Sequence, residues 1–277
     1  MNRPAPPLPP PPNATAGRPR AEPLAALRGV TKAYPGGVVA VRDASLAVAP
    51  REFVSLLGPS GCGKSTVLRL IAGLAEPTSG AVDRAYRHTA DDQPLGCVFQ
   101  EPTLLPWARV WENVYLPLRL RGVGRRQARA SVDAALGRVG LADFAAAYPR
   151  QLSGGMKMRV SVARATVTRP ALLMLDEPFA ALDEITRFRL NDDLLSLWAE
   201  QAWAALFVTH SVFESVFLST RVLVMSARPG RIIEEIAVPL PFPRTGATRT
   251  TPEYAELCSR VSAALERAMA PAGGDDG

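Results

Sequence analysis

The chain has 277 residues, 47% of them apolar, and a formal net charge of +6, enough for one large domain or two modest ones with a proper core. Three scattered cysteines (Cys62, Cys97, Cys258) and two histidines (His88, His210) give neither a disulfide framework nor a histidine-rich metal site. No apolar stretch is long enough to cross a bilayer: the most apolar one, residues 194–208, is interrupted by Glu200 and Gln201, and the Arg3-proline start lacks the apolar segment of a secretory signal. A cytoplasmic chain is expected. The positive charge is almost wholly arginine, with Lys32, Lys64 and Lys157 the only lysines. The cluster Arg119, Arg121, Arg125, Arg126 and Arg129 reads as a solvated helical face. Aromatics for base stacking are sparse around it, so no nucleic-acid partner is expected.

In chain order, residues 1–23 hold nine prolines and almost nothing that could form a core, which predicts an extended tail. Strands are predicted at 24–30, 38–48 and 53–57, a helix at 63–72, a short strand at 96–99, and a mostly helical stretch at 110–147. A helix at 154–168, a buried strand at 171–175, a helix at 185–201 and a strand at 204–209 follow. Strands near 221–225 and 231–238 precede a last helix at 252–269, and residues 271–277 read as a second tail. Alternating strands and helices imply an α/β fold with a largely parallel sheet, the helical middle inserted between sheet elements. Residues 80–94 read as short and polar, without a strand assigned.

The residues Gly58-Pro59-Ser60-Gly61-Cys62-Gly63-Lys64-Ser65, with Thr66 behind them, fit the phosphate-loop pattern G-x-x-x-x-G-K-[ST] between an apolar strand and a helix. The glycines let successive N–H groups turn toward phosphate oxygens, and the helix N-terminus adds a positive dipole. Lys64 is placed to reach the β- and γ-phosphates, and Ser65 to ligate Mg²⁺. Cys62 lies inside the loop, where alkylation should block the nucleotide. The apolar run 172–175 ends in Asp176-Glu177-Pro178, at the strand end where open α/β sheets bind ligands. Asp176 is expected to hold Mg²⁺ and Glu177 to orient or deprotonate the attacking water.

Leu152-Ser153-Gly154-Gly155-Met156 opens a helix with a good N-cap and two glycines, a second anion site that one domain does not need for its own γ-phosphate. With these motifs in this order, residues 24–243 resemble an ABC transporter ATPase, whose signature is typically L-S-G-G-Q. The resemblance implies a P-loop NTPase with a mostly parallel central sheet, an N-terminal antiparallel β subdomain and an inserted helical subdomain near residues 100–165, all within an ATPase domain at 24–251. Residues 252–277 are then a C-terminal helix and tail. It implies two ATPs sandwiched head-to-tail between two copies, each gripped by one copy's phosphate loop and the other's Ser153, Gly154, Gly155 and Met156. Met156 stands where the family usually has glutamine, which leaves the backbone donors intact. By the same resemblance Gln100 touches Mg²⁺ and senses the permease, Asp183 lies in the D-loop, His210 contacts the γ-phosphate, and Tyr34 stacks on adenine.

The stretches Gln100 to Trp107, Val208 to Ser215 and Arg228-Pro229-Gly230-Arg231 are similar to the nitrate/sulfonate/taurine-type importer ATPases. That implies two permease subunits, an extracytoplasmic solute-binding protein, and a peripheral position on the cytoplasmic face of the inner membrane. Residues 104–111 are expected to receive the permease. The solute stays open among sulfonates, nitrate, taurine and vitamin precursors. Two rivals are a soluble ABC-type ATPase of DNA repair or translation, which usually carries coiled-coil insertions, zinc cysteines or tandem cassettes, and a metabolite kinase, in which Ser153–Met156 has no job.

Overall fold

A computed structural model describes residues 22–85, 95–201 and 203–270; the N-terminal proline-rich segment up to residue 21, His88 and residues 271–277 lie outside them. The strands are β1 (Ala25–Ala33), β2 (Val39–Val48), β3 (Phe53–Leu57), β4 (Ser79–Arg84), β5 (Leu95–Val98), β6 (Leu172–Asp176), β7 (Ala204–Thr209), β8 (Arg221–Met225) and β9 (Ile232–Ala237). The helices are α1 (Lys64–Ile71), α2 (Val110–Leu120), α3 (Arg125–Arg138), α4 (Gly154–Thr166), α5 (Glu184–Gln201), α6 (Val212–Leu218) and α7 (Pro252–Met269).

The apolar runs form one sheet in the order β5-β6-β7-β3-β8-β9, parallel throughout except for β9 against β8. Every residue of β3 and β7 is buried, as expected for parallel strands covered on both faces. Their side chains alternate between two cores. Phe53, Leu57, Leu173, Leu175 and Phe207 face a cluster with α2 to α7, whereas Val54, Leu56, Met174, Leu206 and Val208 face one with α1, β1 and β2. The second sheet is antiparallel, in the order β2-β1-β4.

Three features differ from expectation. The polar stretch beginning at residue 80 contains most of β4, an edge strand that pairs Leu27 with Val82 and Ala25 with Arg84. Its side chains are mostly solvated, so no apolar alternation marks it. Gly80 has φ +86°, and a Cβ there would lie 2.4 Å from the Gly29 carbonyl oxygen. Arg84 then turns inward, donating to the carbonyl oxygens of Leu70 (2.6 Å) and Ile71 (3.0 Å) at the end of α1. The helical middle is two helices, broken after Leu120 and again near Gly140, where φ is +69°. Finally, α6 is a short helix that the sequence reading did not anticipate, capped by Ser211, whose hydroxyl accepts from the Glu214 N–H.

One buried ion pair ties the sheet together. Arg221 at the start of β8 donates Nε and Nη2 to the two carboxylate oxygens of Glu52 before β3, at 2.9 and 3.1 Å. Both side chains are buried. Removing Glu52 leaves the Arg221 cation under-compensated, offset in part by its Nη1 contact with Glu235 at 2.9 Å. Glu52→Ala is therefore expected to lower stability by about 2–3 kcal/mol, read as a fall of roughly 4–10 °C in a thermal melt. An unchanged melting temperature would show that the pair contributes nothing.

Candidate nucleotide-binding and catalytic site

Register sets the site. Leu57 pairs with Thr209 and Val208 with Asp176, so β3, β7 and β6 end at one edge of the sheet. The phosphate loop, His210 and Glu177 leave these strands side by side. Within the loop, Gly61 and Gly63 have φ of +74° and +111°, conformations that glycine adopts without penalty. Gly63 is also squeezed: a Cβ would fall 2.6 Å from the Ala40 carbonyl oxygen.

Lys64 is buried, and its ammonium donates to the carbonyl oxygens of Gly58 and Pro59, both at 2.9 Å. It also lies 3.5 Å from one carboxylate oxygen of Glu177. The other oxygen of Glu177 is 3.1 Å from Nδ1 of half-exposed His210. Glu177 thus stands between two nitrogen groups. It does so in a left-handed conformation, φ +45°, that costs a non-glycine residue about 1 kcal/mol. Its N–H is held by the Val208 carbonyl at 3.0 Å.

The Ser65 hydroxyl donates to Asp176 at 3.1 Å. Burial pushes the Asp176 carboxyl up from its ordinary range, against the Ser65 hydrogen bond, and neighbouring Glu177 adds to the rise. A desolvated carboxylate beside a hydroxyl suits Mg²⁺, which keeps most of its waters and accepts one or two protein oxygens plus phosphate oxygens. Among the described residues no cluster of three His, Cys, Asp or Glu is placed to hold a metal.

Not every expected residue joins this cluster. Tyr34 is half-buried with its hydroxyl 3.5 Å from Thr66, beside α1, and the Lys32 ammonium lies 5.2 Å from its ring centre. Cys62 is buried, and burial raises its thiol; it faces Gly58, so only its backbone belongs to the cradle. Pro59 is half-buried and Ser60 exposed. Gln100 is exposed just after β5 and forms no hydrogen bond with Ser65 or Asp176. Beyond it the chain is braced: Arg164 donates to the carbonyls of Pro102 and Thr103 at 2.8 Å, and buried Asn113 bonds Leu105 and Ala108. Trp107 projects from this braced loop, 75% exposed.

Ser153 and Gly154 are exposed. Ser153 caps α4, its hydroxyl accepting from the Met156 N–H at 3.3 Å, and the Met156 side chain packs on the main core. Gly155 abuts α5, where a Cβ would meet the Thr186 methyl at 2.7 Å. Asp183 caps α5, accepting from the Thr186 N–H at 2.9 Å, and that bond holds its carboxyl below the usual range. The structure adds two residues to which no role was assigned. Arg228 donates twice to the Gly61 carbonyl, and buried Glu214 accepts from Thr209 next to His210 at 2.6 Å. Both sit in stretches read only as family marks.

Comparison with known proteins bears on the family and the fold. Residues 41–180 match the ABC transporter family. An ATP-binding protein of Brucella abortus is 45% identical over 82% of this chain and 87% of its own length. The taurine import ATP-binding protein TauB of Rhizobium johnstonii is 43% identical (84% and 91% covered), and the nitrate import ATP-binding protein NrtD of a Synechocystis strain 41% (83% and 89%). A dimeric, post-hydrolysis ATP-binding cassette bound to ADP and phosphate superposes with a TM-score of 0.67 at 32% identity, covering 77% of this chain and 98% of that one. The cbiO1 subunit of the Clostridium perfringens cbiONQ transporter complex gives 0.72 at 25% identity (89% and 97%). The sheet, the phosphate loop and the relatives converge: the chain belongs to the ABC transporter family.

Proposed function

We propose that this chain is the ATP-hydrolysing subunit of an ABC importer, working as a head-to-tail homodimer beneath two separate permease subunits. The observation that carries the chemistry is Glu177, suspended between Lys64 and His210 at the carboxyl edge of the parallel sheet. An arriving triphosphate draws the Lys64 ammonium off the Gly58 and Pro59 carbonyls toward the β- and γ-phosphate oxygens. Glu177, released from Lys64, accepts a proton from the attacking water, and His210 steadies charge gathering on the γ-phosphate. Ser65 and Asp176 would hold Mg²⁺, with Gln100 moving in from the exposed start of the loop after β5; the ion would supply charge neutralisation.

The exposed Ser153–Gly155 turn offers N–H donors and a helix dipole to the γ-phosphate of a second copy's ATP. Tyr34 stacks on the base, and Asp183 lies at the seam. The braced loop that carries Trp107 faces the permease, which receives solute from an extracytoplasmic binding protein. Among the described residues no helix is long and apolar enough to cross a membrane; this subunit is held to the cytoplasmic face through the permease.

Glu177→Gln keeps ATP bound while lowering kcat by about 100-fold or more; steady-state hydrolysis at the wild-type rate would remove Glu177 from its role. Lys64→Ala weakens ATP binding by about tenfold or more, checked by nucleotide titration, and unchanged affinity would refute the phosphate-loop assignment. Gly155→Ala, whose new methyl meets Thr186, should leave single-site ADP binding intact. Its turnover should fall about tenfold, because the donor turn is displaced; wild-type turnover would mean that the turn does not meet a phosphate.

A further inference from the structure

The phosphate loop is gripped from a direction its own motif does not encode. The turn between β8 and β9 is closed on itself: the Ser226 N–H donates to the Arg231 carbonyl at 2.9 Å, and the Ser226 hydroxyl accepts from the Arg231 N–H at 3.0 Å. Gly230, next to the closing pair, is wedged under the loop. It donates to the Ala40 carbonyl at 3.1 Å and accepts from the Arg42 N–H at 2.9 Å. A Cβ on Gly230 would lie 2.1 Å from the Cys62 carbonyl oxygen. The other arm of the turn is anchored to the end of α7, where the Ala227 N–H donates to the Ala268 carbonyl at 3.0 Å.

From this fixed turn Arg228 reaches the loop, donating Nε and Nη2 to the Gly61 carbonyl oxygen at 3.2 and 3.0 Å. The alternating backbone that turns N–H groups inward around an anion throws the intervening carbonyls outward. Here the carbonyls of Gly58 and Pro59 are taken by Lys64 and that of Gly61 by Arg228. Once a nucleotide draws Lys64 away, the Arg228 bonds still hold the Gly61 carbonyl. We propose that Arg228 is a positioning residue for nucleotide binding: it pins the Gly61 carbonyl outward and so presets the phosphate cradle, setting affinity without entering the hydrolytic step. This rests on the reading of the loop as the ATP site.

The test uses the full chain with Arg228→Ala and Arg228→Lys, measuring ADP Kd, ATP KM, kcat and the nucleotide-free melting temperature. Arg228→Ala is expected to raise Kd and KM by about fivefold, the worth of one charged hydrogen bond to a backbone carbonyl at an exposed site. The kcat and the melting temperature should stay near wild type, and Arg228→Lys should recover part of the loss. Wild-type Kd and KM in Arg228→Ala would overturn the proposal, as would a fall in kcat at constant KM, or weakened binding matched by a lowered melting temperature. Failure of the wild-type chain to bind ADP would instead overturn the nucleotide site itself.

Discussion

The rest of the structure depends on the register of three parallel strands. Because β3, β7 and β6 are paired with Leu57 opposite Thr209 and Val208 opposite Asp176, residues more than a hundred positions apart leave the sheet at one edge. A slip of a single residue would turn each strand's apolar set to the wrong core. Burial of Phe53, Leu56, Leu175 and Phe207 therefore specifies the position of Lys64, Glu177 and His210 as firmly as any contact among those three. The apolar core and the catalytic geometry are one constraint.

Charge is arranged at this edge so that the cluster's own groups satisfy one another. Lys64 rests on two carbonyl oxygens and faces Glu177, while Ser65 answers Asp176. These contacts are ones that a triphosphate can replace in kind, since phosphate oxygens take the place of the carbonyls and the carboxylate. The left-handed backbone of Glu177 costs about 1 kcal/mol, and the Val208 carbonyl that holds its N–H belongs to the neighbouring strand. The strain thus sits where it aims a carboxylate, supported by the sheet.

What was legible in the sequence is what is local. The phosphate loop, the Asp176-Glu177 pair and the Ser153 cap each carry their chemistry within a few consecutive residues, and β3, β7, β8 and α7 lie where apolar periodicity put them. What was not legible depends on partners distant in the chain. The strand β4 is a solvated edge whose identity comes from β1, so it has no pattern of its own. The helix α6 spans only Val212–Leu218, too short to impose a helical period, and is stabilised by its Ser211 cap and by burial. Arg228 meets Gly61 across the whole fold, and the inward turn of Cys62 and Met156 follows from packing that no motif spells out.

In the dimer proposed above, the phosphate cradle and the capped glycine turn of one chain serve different nucleotides. Under that proposal each is a half whose complement lies on a second copy. A structure of the Glu177→Gln chain trapped with MgATP tests this most directly. The account predicts two chains related by a twofold axis, with each γ-phosphate touching Lys64 of one chain and Ser153 of its mate. ATP seated on the loop of a solitary chain, with Ser153 open to water, would contradict it.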